Sequence, residues 1–277
     1  MSTRILLIAC DDARGLVSKV TGILYQHDCN IIENGEYVDL DGNRFYMRTE
    51  FEGEIDGGQI LGKLREVLPG QAEVRLVRKR KKKVVVLATR EAHCLGDLLI
   101  RCTFNDMNAE LQGVVANHDV LRGLSEQFGL PFDLVSADGL ERDAHEAHII
   151  EAIEQYEFDY IVMAKYMRIL SDDFIKRYAN RIVNIHHSFL PAFIGANPYR
   201  QAYERGVKVI GATAHFATEQ LDEGPIIAQG TIPVDHTHSA SDMARAGRDV
   251  EKTVLARALH LVFEDRVFVH GNKTVIL

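Results

Sequence analysis

Between residues 183 and 225 the chain concentrates an amide, histidines and a carboxylate among glycines and prolines: V-N-I-H-H-S-F-L-P-A-F at one end, G-A-T-A-H-F-A-T-E-Q-L-D-E-G-P at the other. Attack on a carbonyl needs a group that takes a proton from the nucleophile and donors aimed at the oxygen that becomes negative. A histidine titrates near neutral pH, a carboxylate can orient or charge-stabilise it, and an asparagine amide is a neutral donor. Asn184, His186 and Asp222 therefore form a candidate catalytic set that requires no serine or cysteine nucleophile. Each also has a plain structural reading: Asn184 capping a loop, His186 as a satisfied core histidine beside His187, Asp222 capping the turn before Gly224-Pro225. Ser188 lacks the G-x-S-x-G elbow of a covalent serine mechanism, and His215, in a β-rich run, is expected to be interior rather than the base.

Such residues must be delivered by a scaffold, and the apolar pattern supplies one. Asn184 and His186 end an apolar run, where a strand leaves the core, and residues 221–225 are turn-prone and can fold back toward that strand end. From residue 84 onward, apolar β-branched runs at 84–89, 113–116, 131–135, 160–164 and 182–185 alternate with helical patterns at 95–101, 120–128, 144–156 and 171–178. That alternation favours a parallel sheet covered on both faces, with ligands at the carboxyl ends of its strands. Further helices are expected at 199–205 and 241–264, and a hairpin around Gly271-Asn272. Residues 4–9, 16–24, 30–40, 44–52, 59–68 and 72–77 read instead as βαββαβ, with Asp41-Gly42 as a hairpin turn, predicting an antiparallel sheet of four strands with helices on one face. The expected organisation is a ferredoxin-like domain over 1–78, a basic linker over 79–83 and a Rossmann-like α/β domain over 84–277.

Composition excludes several classes. A net charge of −8 argues against nucleic acid as the main partner. The six consecutive cations Arg78 to Lys83 are read as a solvated connector. No apolar run is long enough for a membrane span and the start lacks a cleavage pattern, so a cytoplasmic protein is expected. Cys10, Cys29, Cys94 and Cys102 show no metal-binding spacing and are expected as reduced thiols, and no metal is expected. The turn after the strand at 84–89 contains neither G-x-G-x-x-G nor G-x-x-x-x-G-K-[ST], so no nucleotide cofactor is implied.

The sequence N-I-H-H-S-F-L-P-A-F, then G-A-T-A-H-F, then L-D-E-G-P-I-I resembles the formyltetrahydrofolate-dependent formyltransferase family over essentially all of residues 84–277. The resemblance places that family's catalytic Asn, His and Asp on Asn184, His186 and Asp222. It implies a folate pocket at Met167, Arg168, Ile169 and Leu170 and a folate-contacting loop at Thr218, Glu219, Gln220 and Leu221. The first domain resembles an ACT domain, which implies an amino-acid effector near Asp12, Gly15, Asn30 and Ile31 and a homo-oligomer. The loop His93 to Leu99 lacks the glycine-rich phosphate cradle of the ribonucleotide-formylating branch, while G-A-N-P-Y, Gly247 to Glu251 and the Gly271-Asn272 tail are similar to the hydrolytic branch. The implied reaction is hydrolysis of 10-formyltetrahydrofolate by water to formate and tetrahydrofolate, without a cofactor, supplying formate for purine synthesis. An amine-accepting transformylase and an amino-acid-sensing binding protein are the alternatives.

Overall fold

The computed structural model describes residues 3–192 and 198–277; of the G-A-N-P-Y stretch, residues 195–197 lie outside the described residues. The chain divides into two compact units.

The first unit contains β1 (Thr3–Asp11), α1 (Leu16–Gln26), β2 (Asn30–Asp39), β3 (Arg44–Glu52), α2 (Gly57–Val67) and β4 (Glu73–Arg78), as expected. The strands pair antiparallel in the order β2-β3-β1-β4. Gly15, at φ 80°, adopts the left-handed backbone that starts α1, and the Asp56 side chain caps α2 by accepting from the Gly58 N–H. Alternation along β1 sends Leu6, Ile8 and Cys10 into the core beneath α1 and α2. Ile5, Leu7 and Ala9 point to the other face, where they pack with Tyr46, Phe268, Val275 and Leu277.

That second cluster corrects the expected boundary. The Rossmann-like domain was expected to run to Leu277, but Glu264–His270 and Val275–Leu277 group with the first unit. The apolar outer face of β1 needs a cover, and periodicity in the tail does not reveal which surface it will cover. The tail is also tied by charge. Arg48, 2% exposed, pairs with Glu33 at 3.0 Å and Glu50 at 3.2 Å and donates to the Glu264 carbonyl, while Arg266 pairs with Glu33 at 2.6 Å. Removing one member of a buried ion network strands the others. Arg48→Met is therefore expected to destabilise the protein by about 3 kcal/mol, read as a lowered midpoint in thermal or urea unfolding.

The second unit holds β5 (Lys82–Ala88), α3 (Ala92–Thr103), β6 (Ala109–Ala116), α4 (Arg122–Gln127), β7 (Phe132–Leu134), α5 (Arg142–Ile153), β8 (Tyr160–Ala164), α6 (Asp172–Arg177), β9 (Ile182–His186), α7 (Pro198–Arg205), β10 (Val209–Phe216), β11 (Ile226–Pro233) and α8 (Ala240–Phe263). The chain ends in the hairpin β12 (Val267–His270) and β13 (Lys273–Ile276). The seven-stranded sheet runs β11-β10-β9-β8-β5-β6-β7. Its strands from β7 to β9 are parallel, and β10 and β11 join antiparallel. The sheet is thus mostly parallel, as expected, with an antiparallel edge of which the sequence marks only the β-rich run around His215. β5 begins inside the basic run: Lys82 is buried and pairs with Ala109, and Lys83 bridges to Glu157 at 2.5 Å. The expected linker is shorter than 79–83 for that reason. Among the described residues no helix is long and apolar enough to cross a membrane.

Candidate active site

β9 lies between parallel β8 and antiparallel β10, so its side chains have fixed neighbours on both sides. Asn184 and His186, two residues apart, project from the same face. His186 is the last strand residue, as expected of a strand end, whereas Asn184 sits in mid-strand. The antiparallel register puts His215 opposite Asn184 and Thr213 opposite His186. This pairing makes His215 part of the site. Its Nδ1 lies 2.9 Å from the Phe216 carbonyl and must carry the hydrogen, so Nε2 presents a lone pair to the Asn184 Nδ2 at 3.3 Å. One amide hydrogen of Asn184 is thereby anchored and the second is free to donate elsewhere.

Asp222 arrives from the connection between β10 and β11. The Phe216 N–H donates to the Pro225 carbonyl at 3.0 Å, closing the ends of that loop. Asp222 itself adopts left-handed backbone at φ 58°. Gly224 lies so close to β10 that a Cβ there would come within 1.8 Å of the Phe216 carbonyl oxygen. The loop delivers Asp222 Oδ1 to 3.1 Å from His186 Nδ1 and 3.8 Å from His215 Nε2. The three predicted catalytic residues are therefore brought together, with His215 behind them.

Electrostatics define the proton positions. Burial pushes the Asp222 carboxyl up, but its hydrogen bond and attraction to His186, with His215 and His187 nearby, outweigh this and hold it below the usual carboxylate range. Ionised Asp222 accepts from His186 Nδ1, which leaves His186 Nε2 as the working nitrogen. That atom is buried and has no hydrogen-bond partner among the described residues. His215 is pushed down by burial, and His187 to about 4 by burial, then Lys165 and His186. A depressed histidine stays neutral when folded but takes up a proton when unfolded, so the unfolded state binds more protons below its ordinary value. Stability is expected to fall as pH drops from about 6.5 toward 4, seen as a lower thermal midpoint at pH 5 than at pH 7.

Two hollows flank the 217–223 loop. One, of 50 Å³, is lined by Asn184, Asp222, Arg168, Ile169, Leu170, Thr218, Glu219 and Leu221. The other, of 440 Å³, shares Thr218 and Glu219 and adds Gln220. Seven of the eight expected folate-contacting residues line these hollows. Met167 does not; it lines a separate cavity of 530 Å³ with Lys165, His187, Tyr199 and Glu251. The effector residues are not gathered within one chain. Asn30 pairs with Glu52 and through it with Thr3, whereas Asp12 follows Asp11 at the other end of β1, so nine rungs or roughly 30 Å separate them. Among the described residues, the one group with metal-ligand proximity is His93, Cys94 and Glu251. The Lys165 ammonium, 3.3 Å from Glu251, competes for that carboxylate.

A mostly parallel sheet thus gathers an amide, a histidine and an ionised carboxylate beside a hollow of 50 Å³. Residues 82–259 match the formyl transferase family and residues 4–69 match the ACT domain, and the chain belongs to the formyl transferase family. It is 52% identical over its full length to the formyltetrahydrofolate deformylase of Escherichia coli O6:H1, covering 99% of that protein, and 43% identical to that of Bacillus subtilis over 98% of this chain and 92% of that protein. The crystal structure of a formyltetrahydrofolate deformylase from Pseudomonas syringae pv. tomato matches with TM-score 0.95 and 41% identity, covering 100% of this chain and 95% of that one. A glycinamide ribonucleotide transformylase from Symbiobacterium toebii matches with TM-score 0.68 and 31% identity, covering 71% of this chain and 94% of that one.

Proposed function

We propose that this chain is a cytoplasmic formyltetrahydrofolate deformylase that hydrolyses 10-formyltetrahydrofolate to formate and tetrahydrofolate. The observation that carries this reading is the His186–Asp222 pair, with His186 Nε2 unpartnered and the free Asn184 amide hydrogen beside it. The folate occupies the hollows walled by residues 168–170 and 218–221, with its formyl group at Asn184 and His186. His186 Nε2, supported by Asp222, takes a proton as water attacks the formyl carbon. Asn184 Nδ2 and the resulting imidazolium face the tetrahedral oxyanion. The C–N10 bond then breaks, N10 leaves with the proton from Nε2, and formate is released. No resident metal or cofactor takes part in these steps. The product would supply formate for purine synthesis while regenerating tetrahydrofolate.

The first unit acts as a regulatory module for an amino-acid effector. Because Asp12 and Gly15 lie far from Asn30 and Ile31 along the sheet, an effector touching all four would be held between two copies of the chain, and a homo-oligomer follows from that arrangement. The test of the reading is a formate-release assay on purified protein with 10-formyltetrahydrofolate, with and without amino acids. Formate release without an added acceptor is expected. Release only on addition of an amine would instead assign the transformylase reaction, and binding without turnover would assign a sensor.

A further inference from the structure

The reaction above leaves unused a second group of buried polar side chains in the same unit. Lys165, immediately after β8, is 4% exposed and adopts left-handed backbone at φ 61°. A non-glycine residue in that region persists only where its surroundings over-determine it, which marks the position for scrutiny. Its Nζ lies 3.3 Å from Glu251 Oε2 and 3.9 Å from Glu91 Oε1. Glu251 is fully buried; His93 Nε2 lies 2.7 Å from Oε2, and the Tyr199 hydroxyl donates to Oε1 at 2.5 Å. The approach of Tyr199 depends on Gly247, where a Cβ would meet the tyrosine hydroxyl at 2.1 Å.

Lys165, Glu91, Glu251 and Tyr199 line the 530 Å³ cavity, which shares no lining residue with the Asn184–Asp222 hollow but reaches His187, whose ring centroid is 5.1 Å from that of His186. The cavity is thus a second approach to the reacting centre, large enough for a small acceptor. An amine entering from water arrives mainly as an ammonium, and a buried carboxylate is the group that would hold it there. Glu251 is such a carboxylate. Burial pushes its carboxyl up, but the hydrogen bond from His93, the attraction to Lys165 and the hydrogen bond from Tyr199 together outweigh this and hold it at about 2, so it stays ionised and paired.

We propose that Lys165 is a specificity-determining residue: its ammonium sits on Glu251 in the place of an incoming amine, so the cavity rejects amine acceptors and leaves water to take the formyl group. The inference rests on the hydrolytic reading above. Where an amine is admitted, its nitrogen attacks the formyl carbon, the C–N10 bond breaks, and the proton lost by the amine passes to N10, giving a formamide and tetrahydrofolate with no further reactant.

The experiment is a partition assay with 10-formyltetrahydrofolate and glycinamide, measuring N-formylglycinamide and formate in the same reaction for the parent, Lys165→Gly and Lys165→Met. The parent is expected to give formate almost exclusively. Lys165→Gly, which removes both the ammonium and its bulk and suits the left-handed backbone, is expected to raise the ratio of formylglycinamide to formate by roughly tenfold or more. Lys165→Met, which removes the charge alone, is expected to raise it less, and it decides the matter should the glycine variant not fold. A merely structural lysine would slow both channels together and leave the ratio unmoved. The proposal is overturned if each variant that folds keeps the parent's ratio, or if the parent already formylates glycinamide as readily as it releases formate. A parent that releases no formate at all would instead remove the hydrolytic reading.

Discussion

Asp222→Asn is expected to lower the rate of formate release by roughly 10³-fold, within the range that a positioned proton-transfer group contributes. The substitution keeps the side-chain volume and removes the charge that holds His186 Nδ1–H, 3.1 Å away. With an amide in place of the carboxylate, the histidine loses the partner that fixes its tautomer and stabilises the imidazolium formed when Nε2 takes a proton. His215 cannot substitute for Asp222, because its Nδ1–H is committed to the Phe216 carbonyl and its Nε2 to Asn184. The proposed folate site is walled by residues 168–170 and 218–221 rather than by Asp222 alone, so the loss should fall on kcat more than on KM. Steady-state rates of parent and variant, with equilibrium binding of a non-reacting folate, separate these effects. A variant within a few-fold of the parent in kcat would remove Asp222 from the reaction.

The second large effect is expected from a residue with no functional group. Gly224→Ala places a methyl group 1.8 Å from the Phe216 carbonyl oxygen and 3.2 Å from His215 Nδ1. Both contacts are with β10, which is held in the sheet on either side and cannot yield, so the 217–224 loop must move. Asp222 is two residues away and rides on that loop. A displacement of about 1 Å at a reacting group can cost on the order of 10²-fold in rate, and that is the expected loss in formate release. The sheet beneath is untouched, so the protein should still unfold cooperatively, with a modestly lowered midpoint. Formate release within twofold of the parent would show that the loop accommodates the methyl group without moving Asp222.

Much of this was legible in the residues, for identifiable reasons. The short apolar run of β1, the alternation along β2 and β3 and the Asp41-Gly42 turn are local signals, and they made the βαββαβ unit legible. The position of Asn184, His186 and Asp222 on an apolar run and a turn-prone segment carried the site. His215 was less legible as a partner of Asn184, because their contact depends on the antiparallel register of β9 and β10, which no local pattern encodes. The tail illustrates the same limit: Phe268 and Leu277 are visibly apolar, but the outer face of β1 that they cover lies far away in sequence. Lys82 and Lys83 read as connector because six cations in a row look solvated, yet backbone pairing with β6 drew them into β5. Lys165 gave no signal and Glu251 stood out only as the end of the Gly247–Glu251 segment, since a buried ion pair joins two elements whose proximity only the fold creates.

The central claim is that water receives the formyl group at His186 and Asp222. Its most direct test is turnover of 10-formyltetrahydrofolate in ¹⁸O-labelled water with no other acceptor present. The account predicts equal amounts of formate and tetrahydrofolate, with one labelled oxygen in each formate formed. Absence of formate until an amine is added, with the formyl group then recovered on that amine, would contradict it.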